Sequence, residues 1–278
     1  MMTREAGPSL SPLATLGRYV RLYGRFLEFS FGKAFEFRFD FFMRIIMDLV
    51  YYAVALAFFK VIYLHTPDLG GWDEAHTMVF VAGSLIVDAL NMTIFSSNMW
   101  NLPFLINKGE LDYYLVRPVS SLFFLSLREF AASSFINLLC ALGILAWALW
   151  RLPVWPGTGA VVLFLLMLLN GTVIFYCLNI LANMLVFWSQ GGGSGFAEII
   201  WSLSKFGERP DTIYRGAVRS VLTLALPFAV VASFPARLLI EGISARLLLH
   251  MLGVSGLFLS IVILTWNRAL RSYSSASS

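Results

Sequence analysis

The chain has 278 residues, of which 59% are hydrophobic and 13% charged. Soluble domains carry about 25% charged residues, so the composition excludes a surface made to face water. The formal net charge of +4 does not mark a nucleic-acid binder, because the cations flank apolar runs and form no basic domain.

Met1–Pro12 reads as a short polar tail. The first 38 residues are rich in Arg and hold no apolar core followed by a small-residue cleavage site, so no cleavable signal peptide is expected. Next, Leu16, Tyr19, Val20, Tyr23, Phe26, Leu27, Phe31 and Ala34 recur at helical spacing. Arg18, Arg21, Arg25, Glu28, Gly32 and Glu36 take the other face. A basic, aromatic, amphipathic helix of this kind lies in the membrane interface. The run Phe35–Phe41 alternates with period two, the mark of a strand. It leads straight into an apolar stretch, so it is expected as the aromatic foot of a helix.

Six apolar stretches approach the roughly 20 residues needed to cross a bilayer: Phe41–Tyr63, Thr77–Ser97, Leu122–Trp150, Ala160–Trp188, Ala217–Ala236 and Leu247–Trp266. The fold class expected is therefore all-α, a polytopic membrane protein of six transmembrane helices with an N-terminal interfacial helix. The connections at 65–76 and 151–158 are short and rich in Pro and Gly, as turns are. Those at Asn98–Ser121 and Ser189–Gly216 are longer. With the N-terminus inside, sixteen Lys and Arg fall on inner segments and four (Lys60, Arg151, Arg237, Arg246) on the outer half. The positive-inside rule then places both termini in the cytoplasm. One membrane domain covers residues 1–278: tail and interfacial helix over 1–40, bundle over 41–268, tail over 269–278. Pro227 and Pro235 interrupt the fifth stretch, which is either a kinked span or a re-entrant helix.

Ionisable groups inside a membrane mark function by default. Asp40, Arg44 and Asp48 are spaced four apart and share one helix face. They form either the wall of a polar path or a stabilising ladder, in which Arg44 pairs above and below. Asp88 is the deepest acid, with Asn91 one turn on. It is expected to face the bundle interior, as a pathway residue or as partner of a cation from another helix. Asn170, Asn179 and Asn183 fit helix-to-helix hydrogen bonds. The only cysteines, Cys140 and Cys177, lie within apolar runs, so no disulfide framework is expected.

No G-x-x-x-x-G-K-[ST] loop occurs, and His65, His76 and His250 are scattered. No catalytic, cofactor-binding or metal-ligating residue is therefore assigned. Gly192-Gly193-Ser194-Gly195 resembles the serine motif of rhomboid intramembrane proteases, and His250-Met251-Leu252-Gly253 their histidine motif. The expected topology opposes that reading. It puts Ser194 inside and His250 outside, a hydrocarbon core of roughly 30 Å apart, whereas a Ser–His pair needs roughly 3 Å.

The second connection carries Gly109-Glu110-Leu111-Asp112, then Leu115 and Arg117-Pro118. A second block is Pro210–Tyr214 with Arg219, Pro227 and Phe234-Pro235-Ala236, and a third is Thr66-Pro67 with Gly70-Gly71-Trp72. Their order resembles the permease subunits of bacterial type-2 ATP-binding-cassette exporters, in a six-span subfamily of unknown substrate. The likeness runs from about Arg18 to Arg271; the glycines at 191–195 depart from it. It implies a multi-pass protein of the bacterial inner membrane that pairs with a second permease, identical or homologous, and with a separate ATPase subunit that holds ATP and Mg. Lys108, Gly109, Glu110, Leu111, Asp112, Arg117 and Pro118 would couple the chain to that ATPase. Leu102, Phe104, Leu105 and Ile106 would anchor the segment in the interface. The alternative expectation is a secondary carrier that uses Asp88.

Overall fold

The structure is a computed structural model that describes residues 12–189 and 194–273. Among these residues the regular elements are all helical; the only strand-like pairing is the bridge Leu69–Trp72 in a turn. Most of the tail expected over Met1–Pro12, the glycines 191–193 and residues 274–278 lie outside the described residues.

Helix α1 (Pro12–Glu36) and α2 (Arg38–Tyr63) are parted by a bend at Phe37. The alternating foot is thus helical on both sides of one residue, because the apolar run of α2 dictates the local state. Next come α3 (Glu74–Asn91), one wide π turn (Met92–Ser96) and α4 (Ser97–Asn107), which together form one apolar rod. Asp73 caps α3 by accepting from the His76 amide at 2.9 Å. The short α5 (Asp112–Leu115) and α6 (Ser121–Leu127) lead to α7 (Ala132–Trp150) and α8 (Thr158–Met184). After α9 (Ser194–Ser204) come two 3-10 turns, Lys205–Glu208 and Asp211–Ile213. Then α10 (Gly216–Ser220) runs through a π turn (Val221–Ala225) to α11 (Phe228–Ile240), and α12 (Ala245–Ser272) closes the chain.

Helix α3 is the hub, packed on α2, α7, α8 and α11, while α12 lies along α8. Phe80, Phe164, Leu168, Ile174, Phe228 and Met251 are fully buried between them. Lipid is as apolar as these side chains, so close packing holds such a bundle more than exclusion from solvent does. Gly171 shows how close: a Cβ there would stand 2.1 Å from the Val231 carbonyl oxygen. That contact seats α11 directly on α8.

Among the described residues five helices are long and apolar enough to cross a membrane: α2, the α3–α4 rod, α7, α8 and α12. Two expected spans are corrected. The third, drawn as Leu122–Trp150, breaks between α6 and α7. The break is stable because each freed amide finds a partner. Glu129 donates to the Asn98 side chain at 3.0 Å, Phe130 to Ser30 Oγ at 3.1 Å, and Ala131 to the Thr93 carbonyl at 2.8 Å.

The fifth span, drawn as Ala217–Ala236, is two short helical pieces bent by 94°. The passage from the inner end of α8 towards the start of α12 is made earlier, by residues 194–213. This stretch begins beside Asn183, where Ala197 and Trp201 wall a common cavity. It ends with Thr212 against Gly70, in the turn that follows α2. Its helix, 3-10 turns and linker rise about 30 Å, one hydrocarbon thickness. The pair α10–α11 then dips in and returns. The deep end of α11 has Phe228 against Gly207 and Phe175, and its far end joins α12. The described part of the connection expected as inner over Ser189–Gly216, residues 194–213, therefore traverses the bundle. Its charges misled the count: four of the sixteen cations, Lys205, Arg209, Arg215 and Arg219, do not belong to the inner face.

The two described ends stay on one side. Helix α1 packs on the α6 region through Tyr19–Phe123 and Phe26–Phe124 ring contacts. The end of α12 reaches the same region, where Trp266 donates to Ser121 Oγ at 3.2 Å. Helix α1 keeps its expected setting over most of its length, with Tyr19, Tyr23, Phe26, Leu27 and Phe31 partly buried and Arg21, Arg25 and Glu28 exposed, and departs from it only near its start. Leu16 and Val20 face outward, while Arg18 turns inward and donates to the Pro118 carbonyl at 2.8 Å.

Candidate functional site

The inner turn between α4 and α6 is a folded projection. Helix α4 ends in paired bonds, Gly109 N–H to Ile106 O at 3.2 Å and Glu110 N–H to Leu105 O at 3.0 Å. Such a cap needs a left-handed residue, and Gly109 has φ +71°. Leu102, Leu105, Ile106 and Leu111 are buried in the bundle. Phe104 points outward with Lys108 Nζ 4.1 Å from its ring centre. Of the four expected anchors, three therefore anchor to the protein itself. Arg117 lies over the Phe124 ring at 4.8 Å, and the Ser120 amide donates to the Tyr19 hydroxyl at 3.0 Å. Burial, and after it the Asp112 charge, push the Tyr273 phenol above its ordinary pKa, so Asp112 lies near the end of α12. Lys108, Tyr113, Val116, Arg117 and Pro118 are exposed, and Glu110 and Asp112 are partly so. The sequence missed Tyr113 and Val116, which are 72% and 82% exposed.

The acid–base ladder divides. Arg44 Nε donates to Asp40 at 2.7 Å, and both side chains are well exposed. Asp48 instead accepts from Asn137 of α7. A residue four positions along one helix loses here to an amide presented by a packed neighbour. Asp40 and Arg44 edge a groove of about 660 Å³ between α1, the π turn and the α6–α7 break, whose other charges are Lys33 and Glu129.

Asp88 faces the bundle interior, as expected. It lines a cavity of about 50 Å³ with Ser84, Trp201, Gly207, Glu208 and Phe228. The charges closest in effect are Lys205, which opposes it, and Glu208, which adds to it. Glu208 accepts from Lys205 and, at 3.1 Å, from the Tyr51 hydroxyl. Asn91 is not in this cluster. It donates to Ser96 at 3.0 Å and faces a neighbouring cavity with Asn179 and Asn183. Of the three asparagines of α8, Asn170 bridges helices, to Ser255 at 2.9 Å, while the other two bond within α8.

A third cluster went unseen. Asp211 is wholly buried, and accepts from Arg219 at 2.7 Å and Ser233 Oγ at 2.6 Å. Arg237 stands 3.5 Å away and also binds Glu241. Three segments thus meet on one carboxylate. Reading 189–216 as an inner loop hid it, although the four-residue spacing of Arg237 and Glu241 was visible. His250, of the protease-like motif, faces the Thr223 carbonyl at 3.2 Å, and the side chain of Ser194 lies outside the described residues.

Residues 49–277 match the sequence profile described as ABC-2 family transporter protein. Neither a curated protein nor a solved structure matches the chain.

Proposed function

The chain belongs to the ABC-2 family of transporter proteins, and from that premise we propose that it is the permease subunit of an ATP-driven exporter. It is a multi-pass membrane protein and a transport subunit. In this reading it forms half of a translocation path beside a second permease, in the inner membrane of a bacterium. A partner ATPase holds ATP and Mg and does the hydrolysis. The family match over residues 49–277 carries the reading, and the inner projection gives it a means. A rigid turn capped at Gly109 and rooted by Leu111 can pass a push from a soluble partner to α4 and α6. The two permeases then rock between inward-open and outward-open states.

The test is recovery of an ATP-binding-cassette ATPase with the tagged chain, followed by reconstitution in vesicles. Expected are a stable complex and movement of cargo outward that requires ATP and Mg. Movement driven by an ion gradient with no ATPase recovered would favour the secondary carrier and reject this reading.

A further inference from the structure

We propose that the cavity walled by Asp88, Trp201, Glu208 and Phe228 binds the protonated amine of a small amphipathic cation. The inference names a ligand class for the permease reading and rests on that reading only in treating the ligand as cargo.

Asp88 from α3 and Glu208 from the 3-10 turn after α9 line the cavity, and Lys205 and Tyr51 of α2 bind Glu208 beside it. Asp88 lies fourteen residues into α3, about 21 Å along the axis. Tyr51 lies thirteen residues into α2 from its inner end, about 20 Å. In a hydrocarbon core roughly 30 Å thick, both sit well inside. Charge at that depth persists only when paired or facing a polar cavity.

The pairing is incomplete. Glu208 is answered by Lys205 and by the Tyr51 hydroxyl. Among the described residues, no hydrogen bond or ion pair reaches the Asp88 carboxylate. Two carboxyl groups against one ammonium leave the Asp88 carboxyl without a cation of its own beside a space of about 50 Å³. A water-sized group occupies roughly 10–15 Å³ on this measure, so an ammonium head fits.

The walls select the rest of the ligand. Phe175, Trp201 and Phe228 present aromatic surface, and Val87, Val231 and Ala232 present alkyl surface. Aromatic faces attract cations. Lys205 shows this locally, with its ammonium 5.0 Å from the Trp201 ring centre and 5.4 Å from that of Tyr51. An anion here would meet two carboxylates, and a neutral molecule would leave Asp88 uncompensated. An ammonium with an alkyl tail answers both the charge and the walls.

The experiment uses the full chain in phosphatidylcholine nanodiscs, with hexylammonium, hexanol and hexanoate as probes. Binding is read from tryptophan fluorescence, with Trp201→Phe locating the signal and blank nanodiscs subtracted. Hexylammonium should bind at least tenfold more tightly than hexanol, and hexanoate should not bind. Asp88→Asn should abolish that preference, Glu208→Gln should weaken it, and Asp88→Glu should keep it. Equal binding of the three probes, which a site for a proton alone would give, or a preference that survives Asp88→Asn, overturns the site. If Asp88→Asn does not fold, a weakened preference in Glu208→Gln with its retention in Asp88→Glu decides for the site, and any other pattern decides against it. ATP hydrolysis by the complex tests cargo separately. Stimulation by hexylammonium supports it, and selective binding without stimulation rejects it. Failure to recover any ATPase would reject the permease reading while the binding result stood.

Discussion

Thr212 is seated against Gly70: a Cβ on Gly70 would stand 2.4 Å from the Thr212 hydroxyl oxygen. The two residues come from connections expected on opposite faces of the membrane. Their contact fixes the direction in which residues 194–213 cross. With Cys140 and Cys177 replaced by Ser, a cysteine at Arg215 should react with an impermeant thiol reagent from the same side as cysteines at Gly71 and Gly157. A cysteine at Lys108 should react from the opposite side. Reaction of position 215 together with position 108 would disprove the crossing.

The same contact predicts a packing defect. Gly70 has φ +64°, so Gly70→Ala strains the backbone and collides with Thr212. The variant should lose about 1–3 kcal/mol. Adding Thr212→Ala should restore part of the loss, since it removes the collision and not the strain. Melting curves of the purified variants in detergent check this, and absence of any recovery would mean that the side-chain collision contributes nothing.

Asp211 joins the crossing segment to the re-entrant pair. Asp211→Asn leaves Arg219 without its carboxylate and Arg237 with Glu241 alone. Breaking a buried ion pair costs about 3–5 kcal/mol, and the lower end applies because Arg219 is partly exposed. Arg219→Ala should cost less, as Ser233 and Arg237 still answer the acid. The order of the two melting temperatures is the test; a larger loss in Arg219→Ala would contradict the arrangement.

Asn98 holds the break between α6 and α7 from both sides. Its Nδ2 donates to the Glu129 carbonyl at 2.8 Å, and its Oδ1 accepts from the Glu129 amide at 3.0 Å. Asn98→Ala strands a buried donor, at a cost of about 1–3 kcal/mol. Asn98→Asp keeps an acceptor for that amide and should cost less than Asn98→Leu. Hydrogen exchange at residues 128–131 should quicken in Asn98→Leu, and unchanged exchange there would dismiss this role.

Tyr113 and Val116 are the exposed apolar tip of the inner projection, so changing them removes no internal contact of note. Tyr113→Ser with Val116→Asp should leave the melting temperature within about 1 °C, as surface changes of under about 0.5 kcal/mol do. It should also weaken recovery of the ATPase several-fold in a pull-down. Leu111→Ala, at a fully buried position, should instead lower the yield of folded chain. Full ATPase recovery by the double variant would remove this tip from the proposed coupling surface.

The sequence alone determined the class of the protein, because bilayer thickness acts on any single apolar run. Phe41–Tyr63, Ala160–Trp188 and Leu247–Trp266 each lie within a helix of the structure or overrun its end by a residue or so. The left-handed cap at Gly109 is a local demand as well, although the sequence reading drew no turn there. The Asp88 cluster, the Asp211 clamp and the true fifth crossing were not legible in the sequence. Lys205, Glu208, Asp211 and Arg219 are too charged for a hydropathy window, which counts each residue as if lipid surrounded it. Packed against α2, α3 and α11, with Asp211 wholly buried and the other three partly exposed, they answer one another. Only the tertiary structure could supply partners distant in sequence, such as Tyr51 for Glu208 and Ser233 for Asp211. Which charges a membrane protein can bury therefore depends on packing that no local run of residues encodes.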